Sequence, residues 1–212
     1  MSLVHRRSVD SMRRLYNWFH RFYPLIEKSI EPTHDDIMRA ISRLFPQMRQ
    51  MTAIEYACGT GSLAINLAAY FSSVDGRDLS AGMLGRARRR AAQSGKTIRF
   101  DEGDILEIKE PDRSFDYVFV SFALHLFSPD KIGEILVNLM KVSREKVIVI
   151  DHPRKWNLFM ALMEWIEGSY YDRFIKMDFK ALAGEIGIEV REMQFPDATV
   201  LIFGRMMKTQ VL

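Results

Sequence analysis

Short apolar runs alternate with stretches of helical periodicity along most of this chain. The runs predict strands at residues 52–56, 74–78, 97–102, 115–121, 147–151, 188–195 and 199–206. Between most of them apolar residues recur every three or four positions, as at Ile132, Ile135 and Leu139. This alternation predicts an α/β fold with a doubly wound, mostly parallel, seven-stranded sheet. Because Pro196 and Asp197 join the last two strands as a hairpin, the last strand is predicted to be antiparallel.

A strand, a tight turn and a helix start meet around two glycines. Gly59 and Gly61 permit backbone angles closed to other residues, and they let a ligand approach the main chain. The helix that begins near Ser62 presents amide N–H groups, which favour an electron-rich ligand group. This segment therefore predicts a loop that binds a nucleotide cofactor. Because Gly59-x-Gly61-x-x-Ala64 followed by Asp78 also fits a dinucleotide fingerprint, the loop alone leaves the cofactor class open.

Further motifs follow in order along the chain. They are Glu55–Gly61 (E-Y-A-C-G-T-G), Val74–Leu84 (V-D-G-R-D-L-S-A-G-M-L), Gly103–Ile105 with Ser114–Val118, and Ser121–His125 (S-F-A-L-H). In this ordered set, residues 51 to about 151 resemble the class I S-adenosylmethionine-dependent methyltransferases, especially the small-molecule branch with the quinone-biosynthesis C-methyltransferases. The resemblance implies a Rossmann-like methyltransferase fold. It also implies S-adenosylmethionine as methyl donor, S-adenosylhomocysteine as product, and a small-molecule acceptor.

The cofactor contacts are expected at the carboxyl ends of the first four strands. They fall on Glu55, Ala57, Gly59, Gly61, Asp78, Leu79, Met83, Asp104, Ile105 and Ser121. The Asp78 carboxylate can accept hydrogen bonds from both ribose hydroxyls, and Glu55 would place negative charge near the ammonium group of the cofactor. The resemblance implies that Asp104 and the Ile105 amide contact the adenine. For Met83 a core position is an equal alternative, and Ser80 is expected to cap the following helix.

Two histidines are the candidate catalytic bases. His125 and His152 follow the fourth and fifth strands, and the ordinary pKa of histidine lies near neutrality. A structural role stays open for both, because the sulfonium is already activated and positioning supplies much of the rate. Asp151 and His152 together could bind a metal. However, Ser121 stands where magnesium-dependent catechol methylation needs a second carboxylate, so no required metal is predicted.

The chain is expected to divide into residues 1–46, an N-terminal helical lid, and residues 47–212, the methyltransferase domain, with 152–177 as an acceptor-side insertion. In the first part Leu15, Trp18, Phe19 and Phe22 share one helical face among arginines. This basic amphipathic segment could rest on an anionic membrane surface. The insertion carries Trp156, Phe159, Trp165, Tyr170, Tyr171 and Phe174, which favour an apolar acceptor unless they pack within the domain.

Other functions fit the sequence less well. No tyrosine is followed four residues later by lysine, as one large reductase class requires. A net charge of +3, a pI near 9.0 and the run Arg86–Arg90 suggest nucleic-acid methylation, although a solvated helix face explains the run better. The Asn/Asp-Pro-Pro-Tyr/Phe element of amino-methylating base enzymes is missing after the fourth strand, and Cys58, the one thiol, lies within the glycine loop. Nucleic-acid or protein methylation and a non-catalytic cofactor-binding subunit remain the alternatives.

Composition agrees with a single enzyme domain. The 212 residues are 48% hydrophobic, which is enough to bury a sizeable core. A single cysteine excludes an intramolecular disulfide and suits a reducing compartment. No uncharged apolar run is long enough to span a bilayer or to serve as a signal peptide, so a cytoplasmic location is expected. The oligomeric state and the identity of the acceptor are not predicted.

Overall fold

The computed structural model describes residues 24–155 and 168–206, with side chains described from residue 33 onward. The first half contains α1 (Pro24–Leu44), β1 (Thr52–Tyr56), α2 (Ser62–Leu67), β2 (Ser73–Asp78), α3 (Ala81–Gln93), β3 (Arg99–Glu102) and β4 (Phe115–Ser121). The second half contains α4 (Pro129–Val142), β5 (Ser143–Asp151), α5 (Tyr171–Phe174), α6 (Phe179–Glu185), β6 (Ile188–Gln194) and β7 (Thr199–Arg205). Short 3-10 helices cover Pro46–Gln50 and Leu124–Leu126.

The strands form one seven-stranded sheet in the order β3-β2-β1-β4-β5-β7-β6. Neighbouring strands are parallel from β3 through to β5, and β7 runs antiparallel to both β5 and β6. The predicted α/β fold with an antiparallel last strand is therefore confirmed. Because the strand order reverses between β1 and β4, the loops that follow these two strands diverge there, which is where open α/β sheets bind ligands.

β5 begins earlier, and β3 begins later, than its apolar pattern predicts. β5 begins at Ser143, directly after α4, because its polar first residues are held by hydrogen bonds. The Ser143 hydroxyl donates to the Asp116 carbonyl at 3.2 Å and to the Lys146 carbonyl at 3.0 Å. β3 begins at Arg99, after an irregular stretch that the pattern includes in the strand. Polar contacts of Ser143 with a distant and a nearby carbonyl therefore accompany the early start of β5.

Alternate residues of the central strands face opposite helical layers. Tyr117 and Phe119 of β4 pack in a cluster with residues of α1, α2 and α3. Val118 and Val120, one position on, belong to a second cluster with residues of α4, α5 and α6. Each large side chain that is fully buried in this way contributes about 1.5–3 kcal/mol to folding. The sheet is thus covered on both faces, as a doubly wound fold requires.

Helix α1 runs antiparallel to β4. Its buried side chains include Ile37, which is fully inaccessible, and the ring of Phe45 just beyond its end lies 5.8 Å from that of Tyr117 near the start of β4. The ring of His34 lies 5.9 Å from that of Phe122, just past the end of β4. The helix therefore descends from the carboxyl edge of the sheet to its amino edge.

Some sequence predictions fall outside the described residues. These are the predicted lid positions Leu15, Trp18, Phe19 and Phe22, and the aromatic residues Trp156, Phe159 and Trp165. The division into a lid, a domain and an acceptor-side insertion stays a prediction. Within residues 24–155 and 168–206, no helix combines the length and the apolar character needed to cross a membrane.

Candidate active site

The glycine loop turns at the carboxyl end of β1. Ala57, Gly59 and Gly61 have positive φ values of 54°, 53° and 76°. A Cβ atom added at Gly61 would lie 2.9 Å from the Phe100 ring and 3.0 Å from Ala87 Cβ, whereas one added at Gly59 would meet no atom within 4 Å. Gly61 is therefore required for close packing, and Gly59 faces open space in which a ligand can approach the main chain.

Asp78 links the glycine loop to the end of β2. Its Oδ2 accepts a hydrogen bond of 2.8 Å from the Gly59 amide, and its Oδ1 accepts one of 2.8 Å from the Ser80 amide. Burial raises the pKa of the Asp78 carboxyl, while these amide hydrogen bonds oppose the rise. Each carboxylate oxygen has a second lone pair. The side chain can therefore hold the loop and accept ribose hydroxyls at the same time.

Glu55 is a buried carboxyl with one oxygen unsatisfied. Its side chain is 0% exposed one residue before the end of β1, and the Ser121 hydroxyl of β4 donates a 2.6 Å hydrogen bond to Oε1. The second oxygen, Oε2, has no hydrogen-bond partner among the described residues. Burial raises the pKa of Glu55 to about 8, against the lowering effects of the Ser121 hydrogen bond and of the nearby Ala64 amide. An ammonium group would satisfy the oxygen and compensate its charge, so the residues present fit the amino-acid end of S-adenosylmethionine.

The other predicted cofactor residues occupy the same edge of the sheet. Met83 is buried in the first turn of α3, and its amide donates a 3.2 Å hydrogen bond to the Ser80 hydroxyl, which confirms the predicted helix cap. Leu79 is half-buried between the second strand and this cap. Oδ1 of Asp104 accepts from the Leu106 amide at 2.8 Å, and the side chain of Ile105 is buried. Adenine contacts at Asp104 and Ile105 stay a prediction.

A buried polar network, which the sequence analysis did not find, fixes the segment after β3. Arg77 is only 6% exposed, and its Nε donates a 2.7 Å hydrogen bond to Glu110 Oε1. Its Nη2 donates to Asp75 Oδ2 at 3.0 Å, and the Tyr56 hydroxyl also donates to Glu110. Although burial alone would raise the pKa of Glu110, the hydrogen bonds from Tyr56 and Arg77 hold it below its usual value. The network ties the segment that contains Asp104 to the sheet.

The two predicted catalytic histidines meet at one carboxylate. His125 Nδ1 lies 2.6 Å from Asp151 Oδ1, which also accepts a 2.8 Å hydrogen bond from the His152 amide. Asp151 Oδ2 accepts from the His125 amide at 3.3 Å, and the two histidine rings have centroids 4.6 Å apart. Burial would raise the pKa of Asp151, but the neighbouring His125 holds it below its usual value. Asp151 therefore orients the ring of His125 and holds the backbone of His152 at the ends of β4 and β5.

These three residues also form a candidate metal cluster. One ligand atom from each of His125, Asp151 and His152 lies within 4.8 Å of the others. However, the 2.6 Å contact between His125 Nδ1 and Asp151 Oδ1 is a hydrogen-bond distance. Two ligands of one tetrahedral zinc ion would stand roughly 3.3 Å apart. The geometry is that of an oriented histidine–aspartate pair, and the absence of a required metal stays a prediction.

His34 is a buried residue next to the candidate site that the sequence analysis did not single out. It is 3% exposed, and its ring lies beside Phe122, whose own ring is 5.4 Å from that of His152. The signal was available in the sequence. His34 stands at the head of an apolar helical stripe that continues through Ile37 and Ile41, and a polar residue in such a stripe is unusual.

Two observations bear on the alternative functions. Arg88 donates from Nε to the Phe100 carbonyl at 3.2 Å, and Arg90 donates from Nη1 to the Thr60 hydroxyl at 3.1 Å. Two arginines of the basic run therefore have structural roles. Burial raises the pKa of the Cys58 thiol well above its usual value, which opposes thiolate formation there.

Comparison with known proteins gives sequence relatives for the cofactor half. Residues 53–146 match the family described as "Methyltransferase domain". A demethylmenaquinone methyltransferase from Thermus thermophilus is 35% identical over 106 residues, which cover 48% of each chain. One from Deinococcus radiodurans is 39% identical over 77 residues, covering 35% of this chain and 32% of the relative. The chain thus aligns with half or less of the length of these relatives.

Solved structures share the fold over most of the chain. A magnesium protoporphyrin IX methyltransferase from Synechocystis, solved with bound S-adenosylhomocysteine, has a TM-score of 0.64, 19% identity and 83% coverage of each chain. A putative S-adenosylmethionine-dependent methyltransferase from Methanococcus maripaludis has a TM-score of 0.71 and 17% identity, with 92% of this chain and 95% of that chain covered. At these identities the likeness concerns the fold.

Residues 53–146 match a methyltransferase domain, and the sheet order and the glycine loop agree with those of a class I S-adenosylmethionine-dependent methyltransferase. Within that class, the cofactor half of the chain resembles the demethylmenaquinone methyltransferases. The class predicted from the sequence is confirmed, and with it the cofactor that defines the class.

Proposed function

We propose that this protein transfers the sulfonium methyl group of S-adenosylmethionine to a small, apolar acceptor and releases S-adenosylhomocysteine. The observation that carries the proposal is the unsatisfied Oε2 of Glu55, in a side chain that is 0% exposed. A buried carboxyl oxygen without a partner is costly. A ligand that brings an ammonium group to this edge of the sheet removes that cost, and the amino-acid end of the cofactor does so.

Each protein group around the cofactor has one task. Glu55 binds the ammonium group, and Ser121 holds the Glu55 side chain in place. Gly59 lets the ligand approach the main chain, and Asp78 accepts the ribose hydroxyls while it keeps its bond to the loop. Asp104 and the Ile105 amide contact the adenine. When bound, the cofactor supplies an activated methyl group, so the protein contributes mainly position and exclusion of water.

The acceptor is proposed to lie against the aromatic side chains at the carboxyl edge. The His152 ring contacts those of Phe122, at 5.4 Å, and Tyr171, at 5.6 Å. The sequence relatives are named for a quinone substrate, which supports a ring-containing, apolar acceptor. If the acceptor atom loses a proton, His125 and His152 are the proposed bases; Asp151 orients the His125 ring and accepts a hydrogen bond from the His152 amide.

Two measurements test this function. Calorimetry with S-adenosylhomocysteine and with NAD tests the cofactor, and tighter binding of NAD would contradict the proposal. Transfer of a labelled methyl group to demethylated quinols and to transfer RNA then tests the acceptor. We expect label in the quinol fraction. Label in RNA alone would replace the small acceptor by a nucleic acid, and cofactor binding without transfer to any acceptor would support a non-catalytic subunit.

A further proposal concerns the basic amphipathic segment at residues 1–23, which lies outside the described residues. We propose that it rests on an anionic membrane surface, since basic residues beside an apolar face are attracted to anionic lipids. Flotation with anionic and with neutral liposomes tests this. Binding to anionic liposomes by the full chain, and loss of that binding without residues 1–23, is expected. Equal and negligible binding in both forms would remove the proposal.

A further inference from the structure

His34 is a buried polar side chain without hydrogen bonds. The residue is 3% exposed, and neither Nδ1 nor Nε2 has a partner among the described residues. A buried polar group that forms no hydrogen bond destabilises the folded chain. Apolar residues occupy the next positions of the same helical face, at Ile37, Met38 and Ile41, so an apolar residue would suit the core at position 34 as well. The stability of the fold therefore does not explain why position 34 is a histidine.

The position of His34 in the fold connects the two halves of the site. The His34 ring lies 5.9 Å from that of Phe122, which in turn contacts the ring of His152 at 5.4 Å. Arg90, whose guanidinium is hydrogen-bonded to Thr60 between the two loop glycines, is close enough for its charge to lower the pKa of His34. His34 is thus near both Phe122, beside the histidine–aspartate pair, and an arginine that contacts the glycine loop.

We propose that His34 binds the acceptor, by a hydrogen bond between its imidazole and a hydroxyl group carried on the acceptor ring. This inference rests on the proposed function. Phe122 and His152 provide aromatic surface for the ring, and the orphan nitrogens of His34 provide the polar partner for its hydroxyl.

The protonation state of His34 agrees with a hydroxyl ligand. Burial and, to a smaller extent, the charge of Arg90 lower the pKa of His34 to about 4. At neutral pH the ring is therefore uncharged, with one nitrogen as donor and the other as acceptor. A hydroxyl group can use either nitrogen. An acceptor carboxylate would gain no opposite charge from His34, so the ring hydroxyl is the chemical class we assign.

The test compares 1-naphthol with naphthalene, two ligands that differ only by a hydroxyl group. Binding of each is measured at saturating S-adenosylhomocysteine in the wild type, His34→Leu, His34→Gln and Met38→Leu. The Met38 variant is the matched control, because Met38 is equally buried one turn further along the same face. In His34→Leu we expect the preference for naphthol over naphthalene to fall by about 3- to 10-fold, with naphthalene binding retained.

The variants separate binding from packing. His34→Gln keeps a donor and an acceptor at similar reach, so it should recover part of the naphthol preference. His34→Leu should also raise the melting temperature of the ligand-free protein, because it removes an unsatisfied polar group. If His34→Leu weakens both ligands equally, or leaves the naphthol preference unchanged, His34 serves packing alone and the proposal is overturned.

Binding of S-adenosylhomocysteine by the wild type distinguishes failure of this proposal from failure of the proposed function. If the wild type binds S-adenosylhomocysteine but prefers naphthalene or binds neither ring, the assignment of His34 and its hydroxyl ligand is wrong, while the cofactor site stands. Failure to bind S-adenosylhomocysteine counts against the proposed function itself.

Discussion

Ser121 and Glu55 lie on adjacent strands, and their 2.6 Å hydrogen bond satisfies only one oxygen of a fully buried carboxyl. With a pKa raised to about 8 by burial, Glu55 is protonated at neutral pH in the ligand-free protein. The ionised form becomes favourable only when a cation approaches Oε2. The Glu55 carboxyl is therefore protonated in the ligand-free site and ionised when a cation is bound there.

Glu55→Gln should stabilise the ligand-free protein in a pH-dependent manner. The folded pKa of about 8 lies above the unfolded value of 4.5, so the unfolded chain releases the Glu55 proton first as pH rises. Wild-type stability from this group is full below pH 4.5 and is lost between pH 4.5 and pH 8. The free energy of unfolding of the variant should exceed that of the wild type by a margin that grows up to about 4–5 kcal/mol over this range. Urea denaturation at several pH values measures it.

The control for this experiment is Glu107→Gln, because Glu107 is exposed. Its difference from the wild type should stay flat with pH. A flat difference for Glu55→Gln as well would show that the buried carboxyl ionises normally in the folded protein.

Cofactor binding should release a proton near pH 7. An ammonium group beside Oε2 lowers the pKa of Glu55 from its ligand-free value of about 8, so the carboxyl ionises as the ligand binds. Titration with S-adenosylhomocysteine in phosphate and in Tris should therefore give different heats, because the two buffers take up the proton with different enthalpies. Glu55→Gln should bind more weakly and give equal heats in both buffers. Equal heats for the wild type would argue against the coupling.

The two loop glycines should respond differently to alanine. Gly61→Ala places a Cβ atom 2.9 Å from the Phe100 ring at a φ of +76°, so it should lower the free energy of unfolding by about 2–4 kcal/mol. Gly59→Ala carries only the cost of its positive φ, about 1–2 kcal/mol, because nothing lies within 4 Å. Its added methyl group points into open space, so it should weaken S-adenosylhomocysteine binding instead. Thermal denaturation and calorimetry on both variants check the contrast. Equal loss of stability in both would contradict the assigned roles.

Asp151→Asn should affect both stability and rate. The Asp151 carboxylate accepts hydrogen bonds from the His125 ring and from the His152 amide, and loss of its charge should cost about 2–3 kcal/mol of unfolding free energy. Single-turnover methyl transfer should slow at neutral pH, because the His125 ring and the His152 amide lose their hydrogen bonds to a charged carboxylate.

His152→Ala tests proton transfer more directly, since the His152 ring is only half-buried and its removal should preserve the fold. If His152 is the base, the single-turnover rate should fall by about 100-fold. His125→Ala is the companion variant. Rates that match the wild type across pH in both variants would eliminate a proton-transfer role.

Most of the fold was predictable because its signals are local. β1 and β4 follow the apolar runs at 52–56 and 115–121, and α4 begins at the Ser128–Pro129 start signal. The first residues of β5 were not predictable from hydrophobicity. The Ser143 hydroxyl donates there to the carbonyl of Asp116, which is distant in the sequence, and to that of Lys146, which is near.

Some residues of the candidate site were likewise predictable from local sequence, and others depend on tertiary packing. Gly59 and Asp78 were predictable, because a strand end and a turn fix them locally. The nearness of His125 and His152 was implied by their position after adjacent parallel strands. The sequence shows His34 as an unusual polar residue in an apolar stripe, but its contact with Phe122 could not be predicted, because only the packing of α1 against β4 brings these two rings together.

Helix α1 is one continuous element that carries both core side chains and His34. A small shift of Ile37 or Ile41 in the core would therefore move the imidazole, which lies one to two turns away on the same helix. Changes of preference for one acceptor over another need not arise beside the ligand. They can arise from substitutions at buried positions of α1. Acceptor specificity can therefore change during evolution without a substitution that touches the ligand.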